Sequence, residues 1–127
     1  MRWCFDAGRD AYADGVLHRL ETIDGLALVP VLWRYEVSSV LARAQLNGQL
    51  AADEVAEFLD DLRLLDIVVD MPGAERIMTD GYRLATTYRL TSYDATYLEL
   101  ALRRNLPLAT LDNALIRACG AAGGSIL

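Results

Sequence analysis

Histidine and cysteine are scarce in this sequence, and their scarcity excludes several kinds of catalytic and metal site. His18 is the only histidine, and it falls off the apolar stripe of a predicted helix. We therefore interpret His18 as a surface residue and expect neither a histidine-based triad nor a two-histidine metal site. Cys4 and Cys119 are too few for a disulfide framework, so a reducing, cytoplasmic compartment is the expectation.

Long apolar runs, an excess of basic residues and glycine-rich phosphate loops are absent as well. No run of about 18 apolar residues exists, so no membrane span is predicted, and residues 1–6 lack the apolar segment of a secretion signal. The net charge of −6 argues against a broad basic surface for nucleic acid. Contact with phosphates would need a local patch, a metal ion or a partner. Gly123-Gly124 is too short and too late for a phosphate loop, which disfavours an unrelated phosphate-binding α/β domain.

Helical and strand-like segments alternate along the chain, which at 127 residues is most simply one domain over residues 1–127. Apolar residues at helical spacing predict helices over 10–20, 32–45, 51–65, 74–89, 92–104 and 113–121. Short apolar runs predict strands over 26–29, 67–69 and 108–111, and a terminal edge strand over 125–127. Such an alternation favours a parallel sheet with helices on its faces.

Three carboxylates lie where a parallel sheet binds ligands, which is beyond the carboxyl ends of its strands. Glu36 follows the first predicted strand and Asp112 follows the third. Asp94 lies in the first turn of a helix and joins them if that helix begins at the same edge. We therefore predict that the three side chains converge.

Each of these carboxylates also has a structural interpretation. Glu36 lies beside the apolar stripe of its helix, so its carboxylate can simply lie in water. For Glu36 alone, this structural role and a role in the site are equally favoured. Thr91-x-x-Asp94 resembles a capping box, and Asp112 is a good N-cap. Taken singly, the two aspartates favour the structural role. The acidic residues between 53 and 61 are predicted to form a solvated helix face.

Taken together, the three carboxylates favour a cation site. Converging carboxylates repel one another and must protonate, pair or bind a cation. Oxygen-only ligands select a hard ion such as Mg²⁺ or Mn²⁺. Such an ion can activate water and neutralise charge on a phosphodiester.

Three stretches, LWRYEV at 32–37, YDATYLELA at 93–101 and PLATLD at 107–112, resemble the PIN-domain ribonucleases, in particular the VapC-type toxins of toxin–antitoxin pairs. The resemblance covers nearly the whole chain. It implies a three-layer α/β/α fold with a parallel sheet in the order 3-2-1-4-5, and a Mg²⁺-dependent (or Mn²⁺-dependent) endoribonuclease. By residue match, Glu36, Asp94 and Asp112 fall on the family's acidic positions. Thr110 falls on a hydroxyl position that supports the last acid.

The resemblance also implies an RNA substrate, a VapB-like antitoxin that blocks the site, and a toxin homodimer. One feature of the family is not found in this sequence, namely a first strand that ends in a catalytic aspartate. The match begins in the helix that follows that strand, and Asp6, Asp10 and Asp14 do not replace the missing acid. We therefore expect this chain to cleave RNA poorly or not at all, and the alternative function is a catalytically inactive antitoxin-binding module.

Overall fold

The structure, a computed structural model, describes residues 25–127. The predicted helix over 10–20, His18, Cys4 and the three early aspartates lie outside the described residues. The chain divides into two compact units. The first contains residues 25–28 and Trp33–Val68, and the second contains Val29–Leu32 and Val69–Leu127. That residues 1–127 form one domain stays a prediction.

Two short strands pair as a parallel sheet, and both arise from apolar runs that the sequence predicts. Strand β1 (Ala27–Pro30) neighbours strand β2 (Ile67–Asp70). The amide of Ala27 donates to the carbonyl oxygen of Asp66 at 2.9 Å, next to the start of β2. The result is a helix-rich α/β structure that agrees with the expected α/β/α class, whereas the five-strand order 3-2-1-4-5 stays a prediction.

The predicted strand over residues 108–111 is wrong in its extent. Only Leu108 pairs, in an isolated parallel bridge with Ile126 of the predicted terminal strand. Beyond Leu108 the chain turns, since the hydroxyl of Thr110 accepts a hydrogen bond from the amide of Asp112 at 3.1 Å. A side chain that bonds the local backbone in this way competes with strand pairing, so the ladder stops after one residue.

Helix α1 (Val31–Leu46) follows β1 directly and has the predicted apolar stripe. Its buried residues Val37, Leu41 and Ala44 are four and three positions apart, which places them on one face of the helix. The helix ends at the predicted stop, where Gly48 has a φ of 71°. Glycine adopts this left-handed conformation without steric cost, so it ends helices readily.

Helix α2 (Ala52–Arg63) confirms the predicted solvated face, because all the acidic residues between 53 and 61 are exposed. The carboxylate of Glu54 accepts a hydrogen bond from the amide of Ala51 at 2.7 Å, which satisfies a donor at the helix start. Arg63 pairs with Asp60 at 2.8 Å, but both side chains are more than 70% exposed. A pair as exposed as this stabilises the helix little.

The predicted helix over 74–89 consists of three consecutive pieces. They are α3 (Gly73–Arg76), a π-helical segment π1 (Ile77–Gly81) and α4 (Tyr82–Tyr88). Gly81 is buried within π1, and a Cβ at Gly81 would lie 2.5 Å from Cδ1 of Ile77. The side chain of Ile77 therefore occupies the space that the glycine leaves.

Helices α5 (Ser92–Arg104) and α6 (Asn113–Ala121) complete the second unit, and α5 packs against π1, α4 and α6. The core of this unit is formed by the buried residues Leu98, Ala101, Leu108, Leu115, Ala118 and Cys119. None of the helices within residues 25–127 combines the length and the apolar character needed to cross a bilayer.

Gly124 packs so tightly on this core that a side chain does not fit. A Cβ at Gly124 would lie 2.6 Å from Sγ and 3.2 Å from the carbonyl oxygen of Cys119, and 3.1 Å from Cδ2 of Leu102. We expect Gly124→Ala to lower the free energy of unfolding by about 1–3 kcal/mol because it overpacks the core. Denaturant titration measures this change.

Gly120→Ala is the matched control for that substitution. A Cβ at Gly120 meets no atom within 4 Å, and alanine is favoured over glycine inside a helix by roughly 1 kcal/mol. We expect Gly120→Ala to leave stability unchanged or to raise it. A Gly124→Ala variant as stable as the unchanged chain would contradict the packing described above.

Candidate functional site

Asp94 lies at the start of α5, held by the threonine that caps the helix. The hydroxyl of Thr91 accepts a hydrogen bond from the Asp94 amide at 3.1 Å and donates one to Oδ2 of the Asp94 carboxylate at 2.9 Å. The capping interpretation of Thr91-x-x-Asp94 is therefore confirmed in that Thr91 is the N-cap of α5. Within residues 25–127 no donor to Oδ1 of Asp94 is found, so the half-buried carboxylate keeps one oxygen for a further ligand.

Asp112 has the equivalent place at the start of α6. Its Oδ1 accepts a hydrogen bond from the amide of Leu115 at 2.8 Å, which makes Asp112 the N-cap of α6. Its own amide donates to the hydroxyl of Thr110 at 3.1 Å. Thr110 therefore lies beside Asp112, and the supporting role that the resemblance implies for it stays a prediction.

Glu36 lies on α1 in the first unit, six residues after the end of β1, and it is half-buried. Asp94 and Asp112 lie in the second unit. The convergence of all three carboxylates stays a prediction. What the second unit establishes is that Asp94 and Asp112 each begin a helix beside a threonine hydroxyl.

The chemistry of these donors suits a hard divalent cation, because all of them are oxygen atoms. In the described part of the chain, no group of three or more histidine, cysteine, aspartate or glutamate side chains is close enough to hold a metal ion. Mg²⁺ is usually bound by one or two carboxylates, and water and substrate phosphate oxygens complete its shell.

A further acidic residue, Asp70, ends β2 and was not singled out from the sequence. Its side chain is 1% exposed. Arg103 donates from both Nη atoms to the carboxylate, with 3.2 Å from Nη1 to Oδ1. Arg104 donates from Nη2 to Oδ1 at 2.7 Å and from Nε at 3.1 Å. Two guanidinium groups thus surround one buried carboxylate.

Glu99 and Gly73 complete this group, which we call the Asp70 network (Asp70, Gly73, Glu99, Arg103 and Arg104). Nε of Arg103 donates to Oε1 of Glu99 at 2.7 Å, four residues earlier on the same helix. The amide of Gly73 donates to Oδ2 of Asp70 at 2.9 Å. A Cβ at residue 73 would lie 2.8 Å from that oxygen, so only glycine lets the backbone approach.

Two members of the Asp70 network, Asp70 and Arg103, have shifted pKa values. Hydrogen bonds from Arg103 lower the pKa of Asp70 to about 2, assisted by Arg104 and the Gly73 amide and opposed by burial. The hydrogen bonds to Asp70 and then to Glu99 raise the pKa of Arg103. Both groups are therefore charged at neutral pH, and their pairing ties the end of β2 to the last turn of α5.

Comparison with known proteins identifies the relatives of this chain. The model of the PIN domain family matches residues 4–121, which include Glu36, Asp94 and Asp112. A protein named Ribonuclease VapC3 from Pyrobaculum aerophilum is 31% identical over 81 residues, which cover 64% of this chain and 62% of the relative. A protein of the same name from Mycobacterium tuberculosis is 36% identical over 89 residues, which cover 70% of this chain and 62% of the relative. The matched part thus spans 62% of the length of each curated relative.

We expect Asp70→Asn to lower the free energy of unfolding by roughly 2–5 kcal/mol at pH 7, because it leaves Arg103 largely buried without its carboxylate. The unchanged chain should also lose stability in acid. The pKa of Asp70 lies below its ordinary value of 3.8, so its contribution is complete above that value and is lost as the pH falls towards 2. Denaturant titrations at several pH values test both statements.

Asp60→Asn is the control, because Asp60 forms an exposed pair and should contribute less than about 1 kcal/mol. An Asp70→Asn variant that is as stable as the Asp60→Asn variant at pH 7 would show that the Asp70 network does not hold the second unit together.

Proposed function

Because this chain belongs to the PIN-domain family, we propose that it is a VapC-like, divalent-metal-dependent endoribonuclease that hydrolyses RNA phosphodiester bonds. The observation that carries the proposal is the paired arrangement in the second unit, where Asp94 and Asp112 each open a helix beside a threonine. A purely structural cap does not require a family-matched acid at both places. The relatives named Ribonuclease VapC3 support the same conclusion.

The proposed metal ligands are Glu36, Asp94 and Asp112. When bound, Mg²⁺ or Mn²⁺ would neutralise charge on the phosphodiester and activate a water molecule. The chain supplies fixed oxygen atoms for this purpose. Thr91 holds one oxygen of Asp94 by donating to it, and the Leu115 amide holds one oxygen of Asp112. Each aspartate is thereby oriented, and no described residue donates to its second oxygen, which we propose as the metal ligand.

The negative net charge of the protein makes a bound cation important for substrate binding. The net charge is −6, and carboxylates at the site repel the phosphates of RNA. A bound divalent ion offsets this repulsion where the scissile phosphate would lie. The proposed function therefore depends on the metal for binding as well as for chemistry.

We further propose a VapB-like antitoxin partner, a homodimer and a cytoplasmic location, all supported by the resemblance to VapC-type toxins. A reducing compartment agrees with the state of Cys119, which is a free and buried thiol. Burial raises the pKa of the Cys119 thiol, which keeps it protonated and unreactive.

The proposed function is tested by single-turnover cleavage of a mixed RNA pool with Mg²⁺ or Mn²⁺. We expect Asp112→Asn and Asp94→Asn each to reduce the rate by at least about 100-fold, because a site that loses a ligand no longer positions the reacting groups. Asparagine caps helices about as well as aspartate does, so Asp112→Asn should change stability by less than about 1 kcal/mol.

Asp61→Asn, which removes an exposed carboxylate from α2, is the matched control and should cleave as the unchanged chain does. Cleavage that survives chelation of divalent metal, or that both aspartate variants retain, would contradict the proposal. If the unchanged chain shows no cleavage with either metal, the antitoxin-binding module becomes the better assignment.

A further inference from the structure

Arg89 has a backbone conformation that arginine rarely adopts. It ends α4 with φ 54° and ψ 44°, in the left-handed region. Only one other non-glycine residue among the described ones has a positive φ, and that is Asn105 at the end of α5. Asparagine and glycine are the usual residues at such a helix end. The sequence thus places a long cationic side chain where a small residue would be less strained.

The charge of Arg89 is also unused within residues 25–127. Its neighbours along the chain, Arg76 and Arg83, both pair with Asp80, and Arg103 and Arg104 both pair with Asp70. Arg89 is exposed, and none of the hydrogen bonds or ion pairs of the described residues involves its guanidinium group. The strained backbone at Arg89 is therefore not explained by an internal ion pair.

Arg89 lies next to the proposed site. Only Leu90 separates it from Thr91, so the two Cα atoms are at most about 7 Å apart, and Thr91 donates to the carboxylate of Asp94. Tyr93, beside Asp94, is 63% exposed. Residues 89–94 therefore present a free cation, an aromatic ring and a carboxylate within one short segment.

These three groups match the chemistry of single-stranded RNA. Phosphates are bound by arginine, and unstacked bases stack on exposed aromatic rings. An acidic partner peptide would also bind the Arg89 cation. However, such a peptide has no need of the neighbouring Asp94, which we propose as a metal ligand. In a protein of net charge −6, an arginine without an ion pair among the described residues, two positions before the cap of Asp94, is the kind of local positive group that phosphate contact requires.

We propose that Arg89 is a substrate-binding residue that contacts an RNA phosphate next to the scissile bond. This inference rests on the proposed function. It assigns a role to a residue outside the acidic set, and it explains why an arginine rather than a glycine occupies the left-handed position.

The test is the affinity for a fluorescent single-stranded RNA oligonucleotide, measured by anisotropy with Mg²⁺ over a series of salt concentrations. The parent is the unchanged chain, which keeps the three proposed metal ligands, and gel electrophoresis after each titration confirms that the probe is intact. We expect Arg89→Gly to weaken binding by about 10-fold, the loss of one charged hydrogen bond. The slope of log affinity against log salt should become shallower by roughly 0.7, the value for one phosphate contact to a single strand. Arg89→Lys should retain most of the affinity and most of the salt dependence.

Three controls separate this role from effects on the fold. Arg89→Gly relieves the left-handed backbone, so its melting temperature should be unchanged or higher. Asn105→Gly makes the matched change at the other left-handed position, and Arg63→Gln removes a charge from the exposed pair with Asp60. Both should bind RNA as the parent does.

The outcomes distinguish this inference from the proposed function. RNA binding by the parent that Arg89→Gly leaves unchanged would overturn the assignment of Arg89, while the cleavage assay could still support the ribonuclease. An equal loss of affinity in Arg63→Gln would overturn it too, because the effect would then be one of overall charge. A parent that binds no RNA would overturn the assignment, and an absence of cleavage would separately show that the proposed function fails.

Discussion

The buried carboxylate of Asp70 requires cations, and the second unit supplies two. Removing a charged group from water costs several kcal/mol unless close partners and hydrogen bonds compensate. Here Arg103, Arg104 and the amide of Gly73 all donate to the same carboxylate. Within the described residues no buried side-chain nitrogen or oxygen is left without a hydrogen-bond partner. The satisfied network therefore fixes which part of α5 meets the end of β2.

The Asp70 network also constrains the position of Asp94 in the candidate site, because α5 carries both Asp94 and Arg103. Asp94 is in the first turn of α5 and Arg103 in its last. The nine positions from Asp94 to Arg103 correspond to about 14 Å of helix. The middle of the same helix supplies the buried residues Leu98 and Ala101 to the core. The acid at one end is thus carried on an element that is packed along its length and anchored at its far end.

Most of the elements in residues 25–127 could be predicted, since they depend on local periodicity and on helix-end chemistry. The stripe of α1, the stop at Gly48 and the starts of α5 and α6 all follow from nearby residues. The strand over 108–111 was overestimated because an apolar run does not reveal how many backbone partners it will find. The π-helical segment was also missed, because nothing in the apolar spacing of that stretch distinguishes it from a regular helix.

In the candidate site, too, the features set by nearby residues could be predicted, and those set by long-range contacts could not. The caps at Asp94 and Asp112 and the place of Thr110 depend on residues one to three positions away, so the sequence was sufficient. The Asp70 network joins residues 33 and 34 positions apart, and neither an isolated aspartate after a strand nor a pair of arginines ending a helix specifies that partnership. The left-handed Arg89 was missed because its strain shows only in the backbone angles.

The proposed function depends on our proposal that Glu36, Asp94 and Asp112 bind one divalent cation together. It is tested most directly by titrating the chain with Mn²⁺ and counting free ion by electron paramagnetic resonance, with no RNA present. The account predicts one site, weakened at least about 10-fold by each of Glu36→Gln, Asp94→Asn and Asp112→Asn, and unchanged by Asp61→Asn. Binding that is indifferent to all three substitutions, or that Asp61→Asn weakens equally, would contradict it.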